Sequence, residues 1–74
     1  MRKEKNMARY CMNKNAQENG DHEVHREDCS WLPDPENRLW LGNFSSCHGA
    51  VAKAKEYDSM ADGCYYCSKD CHTR

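Results

Sequence analysis

What this 74-residue sequence has least of is material for an apolar core. It holds one phenylalanine and no long apolar run, against 31% charged residues and a mean hydropathy of -1.16. The large apolar candidates reduce to Val24, Trp31, Leu32, Leu39, Trp40, Leu41, Phe44 and Val51, with some alanines, methionines and tyrosines. A domain of this size buries only about 60% of the surface its unfolded chain exposes. Burial alone then leaves little margin over the entropy of ordering the chain, and a covalent or metal staple is expected. With no apolar run, no transmembrane span is expected. The charged start from Met1 to Arg9 lacks the features of a secretory signal, which predicts a reducing cytoplasm and free thiols. There is no basic excess either. The net charge of -1 argues against a surface that neutralises many phosphates, and apart from Arg2, Lys3, Lys5 and Arg9 the cations are scattered. No Ser/His/Asp or paired-carboxylate arrangement stands out, and no repeat or low-complexity tract is present.

What the chain does have is six cysteines and four histidines. Cys64, Cys67, Cys71 and His72 crowd the C-terminal end, and Cys64 and Cys67 form a C-x2-C step. Two thiolates presented from one tight turn can converge on a tetrahedral zinc, which needs sulfur at about 2.3 Å. The best upstream complement is the H-x3-C step of His25 and Cys29. The expected metal set is therefore His25, Cys29, Cys64 and Cys67 around Zn2+, with Cys71 or His72 as the alternative fourth ligand. His25 is preferred because tetrahedral sites commonly draw two ligands from each of two separated turns. A closed four-ligand site leaves no open position for water activation, so no enzymatic activity is expected. A thioredoxin-like redox role for C-x2-C lacks the expected β-α-β context. Cys47 reads as a core residue and Cys11 as an inert strand thiol. His22 and His48 read as ordinary surface or hydrogen-bonded imidazoles, and both tryptophans as core filling.

The period of two places a first strand near Met7 to Met12 and a second, antiparallel to it, at Asp21 to His25. Asn13 to Asp21, ending on Asn19-Gly20, is a turn, and Pro33 and Pro35 enforce a connecting loop. Arg38 to Leu41 is a third strand, closed by Gly42-Asn43. Cys47, Ala50, Val51, Ala54, Tyr57 and Ala61 recur at helical spacing, which predicts a helix over 47–61 capped by Ser45 or Ser46 and ended by Gly63 in a left-handed conformation. The fold expected is α+β: a short antiparallel sheet of about three strands packed on one helix, with 1–6 as a flexible leader and 7–74 as a single domain.

The order of these pieces, a ligand pair after a strand, then a strand, a helix and C-x2-C, resembles the zinc-binding module of the Ada-type DNA-repair proteins over residues 22–67. The resemblance implies that His25, Cys29, Cys64 and Cys67 sit in turns that clamp the sheet to the helix. The Ada step carries cysteine where this chain has His25, and the downstream DNA-binding helices have no counterpart here. More closely, Gly20-Asp21-His22-Glu23-Val24-His25 to Cys29, Leu41 to Cys47, Ala50-Val51, and Gly63 to Cys67 with Cys71-His72-Thr73 are similar to a family of short bacterial proteins with no assigned activity. The function expected is a cytoplasmic, monomeric, zinc-stabilised domain that binds a protein partner. Two alternatives follow. The Ada resemblance implies alkyl transfer to a zinc-bound thiolate, first of all Cys29. The other is nucleic-acid binding through Arg2, Lys3, Lys5, Arg9 and Lys14, which the net charge disfavours.

Overall fold

Four strands and one helix make up the fold in a computed structural model that describes residues 7–73; the expected leader at 1–6 lies outside them. The strands are β1 (Ala8–Asn13), β2 (His22–Arg26), β3 (Arg38–Phe44) and β4 (Ala61–Gly63), and the helix is α1 (Cys47–Ala54). They form one mixed sheet in the order β3-β1-β2-β4. β1 pairs antiparallel with both β2 and β3, and β4 adds parallel to β2. The fold is α+β, as the sequence suggests, with four strands where about three were expected, and the sheet is mixed rather than antiparallel because β4 joins β2 in parallel.

Alternation along the strands separates the two sheet faces. Tyr10, Met12, Val24 and Leu41 meet Cys47, Ala50 and Ala54 of α1 in the core, together with Ala61 and Cys71. The alanines let the helix lie close to the sheet, and Phe44 closes one end edge-on to Tyr10 at 6.3 Å between centroids. Cys11 and His25, cross-strand partners and both fully buried, occupy the opposite face. β3 carries a bulge: Tyr10 pairs with Gly42 but Cys11 with Trp40, so Leu41 is the extra residue. Gly42 takes φ +114° there, a conformation that L side chains rarely adopt.

Several expectations need correction. The helix ends at Ala54 rather than 61, because Asp58 accepts the Met60 N–H at 2.8 Å in a local turn that competes with helical continuation. Tyr57 is consequently exposed instead of extending the apolar stripe. Ala61–Gly63 becomes β4, with Gly63 paired to Val24 and not in a left-handed conformation. β3 continues to Phe44 beyond the expected end at Leu41, since the bulge keeps it paired with β1. Ser46, one of the two expected caps, accepts the His48 N–H at 3.2 Å. Trp31 is not core: it is 61% exposed and stacks on Tyr66 at 5.2 Å. Trp40 is half-buried under the Arg9 guanidinium, 3.8 Å from the ring centroid. The thiols are not all free. Cys47, expected as simple core, is bonded to Cys71, while Cys11, Cys29, Cys64 and Cys67 are free.

Candidate metal centre

The exits of β2 and β4 build the centre together. Their parallel register runs from His22 with Ala61 to Val24 with Gly63, so the residues that follow, His25 and Cys64, come out side by side. The Cys64 N–H donates to the Val24 carbonyl at 3.0 Å and carries the ladder one residue past β4. Beyond β2 the chain turns back at once, with the Cys29 N–H donating to the Arg26 carbonyl at 2.9 Å. A bidentate Arg26–Asp28 pair at 2.8 and 3.1 Å braces that turn. Beyond β4 the Ser68 N–H closes the C-x2-C turn onto the Cys64 carbonyl at 2.9 Å.

These two turns bring one ligand atom each from His25, Cys29, Cys64 and Cys67 within 4.8 Å of one another. His25, Cys29 and Cys64 are buried and Cys67 is partly exposed. The Cys29 and Cys64 sulfurs stand 3.9 Å apart. Two sulfurs bonded to one tetrahedral zinc at about 2.3 Å would be about 3.8 Å apart, so the pair is spaced for a shared ion and far beyond a disulfide bond.

Each of the three sulfurs also accepts a backbone N–H: Cys29 from Trp31 at 3.4 Å, Cys64 from Tyr66 at 3.4 Å and Cys67 from Arg26 at 3.2 Å. Such bonds favour thiolate over thiol. At Cys67 burial opposes ionisation, but the His25 imidazole, the Arg26 N–H, Cys29 and Ser68 together outweigh it and hold the thiol down at about 6. Burial pushes Cys29 up to about 12 and raises Cys64 as well, with the neighbouring Cys67 charge adding to both. Three thiolates cannot share one small volume without a cation to neutralise them.

The imidazole fits the same reading. His25 is 1% exposed, and its Nε2 lies 3.4 Å from a Glu23 carboxylate oxygen. Among the described residues its buried Nδ1 has no hydrogen-bond partner, although the ring lies close enough to the Cys67 sulfur to stabilise a thiolate there. A buried ring nitrogen left without a partner is costly unless something ligates it, and a carboxylate on the far nitrogen is the usual orienting partner of a metal-bound histidine. The residues present therefore fit a metal ion with three sulfurs and one nitrogen.

The alternative fourth ligands stand elsewhere. Cys71 is bonded to Cys47, and His72 donates Nδ1–H to the Gly63 carbonyl at 3.0 Å and lies 3.4 Å from Asp62. Asp62 also accepts the Thr73 N–H and hydroxyl, at 2.6 Å for the latter, which pins the tail to β4. His22 likewise bridges the Asn13 carbonyl and Asp58.

Two features escaped sequence reasoning. One is the exposed aromatic group of Trp31, Tyr65 and Tyr66, whose members follow Cys29 and Cys64 by one or two residues. The other is a second group of Cys47, His48 and Cys71, whose ligand atoms also lie within 4.8 Å of one another. No local spacing announces either, since each joins segments more than twenty residues apart. Among the described residues no helix is long and apolar enough to cross a membrane. No family model, curated protein or solved structure matches the chain. Fold and site together define a small α+β domain with a cysteine/histidine cluster suited to a metal ion.

Proposed function

We propose that the chain is a non-enzymatic zinc-stabilised interaction domain, in which His25, Cys29, Cys64 and Cys67 hold one structural Zn2+. The observation that carries this reading is the convergence of three N–H-bonded sulfurs with a buried imidazole nitrogen that has no other partner. Zinc is the ion favoured by such a closed tetrahedral set of three sulfurs and one nitrogen. Bound there, it neutralises the thiolates and ties the exit of β2 to the exit of β4. Structural zinc in small domains is worth on the order of 10–16 kcal/mol at neutral pH, enough to make up for the sparse core.

The interaction surface in this reading is the aromatic group on the two ligand turns. Trp31, Tyr65 and Tyr66 are 61%, 48% and 66% exposed, and aromatic residues of this kind dominate the energetics of protein–protein interfaces. A protein partner suits this surface better than nucleic acid, given the net charge of -1. The alkyl-acceptor alternative is weaker, because Cys29 is buried and its sulfur already accepts an N–H bond.

Chelation tests the proposal. Excess chelator should collapse the dispersed amide spectrum and shift the emission of Trp31 as its stack on Tyr66 is lost, and His25→Ala should lower zinc affinity at least tenfold. Retention of the native spectrum in metal-free protein would overturn it.

A further inference from the structure

We infer that Cys47, His48 and Cys71 form a second metal site, independent of the first, that becomes available when their disulfide is reduced. The two clusters make opposite redox demands. The four-residue centre needs free thiols, and Cys29, Cys64 and Cys67 are free, whereas Cys47 and Cys71 are joined. Surroundings reducing enough to preserve the first set also favour the dithiol form of the second pair. Opening the bond takes two electrons and two protons from a dithiol reductant, which leaves as its own disulfide. The S–S bond breaks and two S–H groups form.

The opened pair is then held as a chelate. Cys47 is the first residue of the eight-residue α1, where the helix N-terminus favours a thiolate. Cys71 ends the short 3-10 turn Lys69–Cys71, and its N–H donates to the Ser68 carbonyl at 2.9 Å. The two Cα atoms are 6.2 Å apart, close enough for both sulfurs to reach one ion after rotation about their side-chain bonds. His48 supplies the third donor. It is exposed, its ligand nitrogen lies within 4.8 Å of both sulfurs, and its ring lies 3.4 Å from the Ser46 hydroxyl. Metal uptake displaces both thiol protons.

Two sulfurs and an imidazole make a three-ligand set, which leaves a fourth position open where the first centre is closed. Cys47 and His48 line a cavity of about 330 Å³ whose wall also includes Arg26, Lys69 and Asp70, so water can fill that position. The site suits a borderline or soft cation, zinc in particular. Oxidised, the pair is a covalent clamp between α1 and the tail; reduced, it is an exchangeable metal site in the same place.

The test is zinc binding by the full chain in two redox states: as the Cys47–Cys71 disulfide, and after dithiothreitol reduction followed by anaerobic gel filtration. The reduced protein should bind one equivalent more than the oxidised protein, and His48→Ala, a change at an exposed side chain, should weaken that extra equivalent at least tenfold without touching the other. The difference between the states carries the result, so failure of the four-residue centre would lower both totals and leave the difference at one. Equal stoichiometry in both states, or an extra equivalent that His48→Ala leaves unchanged, overturns the inference.

Discussion

Gly63→Ala is the substitution whose outcome the packing specifies most sharply. A Cβ at Gly63 would lie 2.6 Å from the Ser68 carbonyl oxygen, 2.7 Å from the Cys71 Cβ and 2.8 Å from the Cys71 carbonyl carbon. Ordinary contact begins at about 3.5 Å, so the tail must move by about 0.7–0.9 Å. It has no free direction in which to do so. The Ser68 N–H is bonded to the Cys64 carbonyl, the Ser68 carbonyl to the Cys71 N–H, and Cys71 to Cys47. Overpacking against such fixed atoms costs about 2–3 kcal/mol, which in a domain this small lowers Tm by about 10–20 °C. Gly49→Ala is the control. Its Cβ meets the Phe44 Cδ1 at 3.0 Å, but that ring is partly exposed and can turn aside. Within α1 the alanine also gains about 1 kcal/mol of helix propensity. Thermal melts followed by circular dichroism should show a large loss for Gly63→Ala and little change for Gly49→Ala. A Gly63→Ala melt within about 3 °C of the parent would refute the close crossing of tail and β4.

Cys11 should be almost unreactive in the folded protein, because it is fully buried and burial, the largest influence, pushes it up to about 11, leaving almost no thiolate at neutral pH. Iodoacetamide labelling followed by peptide mass mapping would contradict this if native Cys11 were modified as fast as a small-molecule thiol. Ser46→Ala removes the acceptor for the His48 N–H and should destabilise the fold by about 1 kcal/mol, readable as a shift in urea midpoint with the slope unchanged. An unchanged midpoint would mean that α1 does not depend on its cap.

The legible parts of this protein are the ones that local chemistry determines. The alternation expected over Met7–Met12 and Asp21–His25 appears one residue later, at Ala8–Asn13 and His22–Arg26, and of the two caps expected, Ser45 or Ser46, the helix uses Ser46. H-x3-C and C-x2-C can be recognised because each is a turn that presents its donors unaided, whereas their meeting depends on the parallel β2/β4 register. That register is itself hard to read. Ala61-Asp62-Gly63 has no β-branched residue and is a strand only because β2 lies beside it. Its alanine also falls in step with Ala50 and Ala54, which is why helical spacing alone carries α1 too far. Trp31 departs from expectation because large apolar residues are not obliged to be buried: its stacking partner Tyr66 is distant in sequence, and both residues are tied by their backbone N–H groups to cysteine sulfurs of the cluster. The Cys47–Cys71 pairing likewise follows from the tail crossing over β4 beside α1, which no local spacing encodes.

In the proposed reading one ion is held by three sulfurs and one nitrogen at the exits of β2 and β4. X-ray absorption at the zinc edge, on protein loaded with a single equivalent, addresses it most directly. Three sulfurs at about 2.3 Å and one nitrogen at about 2.0–2.1 Å are expected, with the nitrogen contribution lost in His25→Ala. A coordination shell of two sulfurs with nitrogen and oxygen, unchanged by His25→Ala, would put the tightest ion away from His25, Cys29, Cys64 and Cys67 and contradict it.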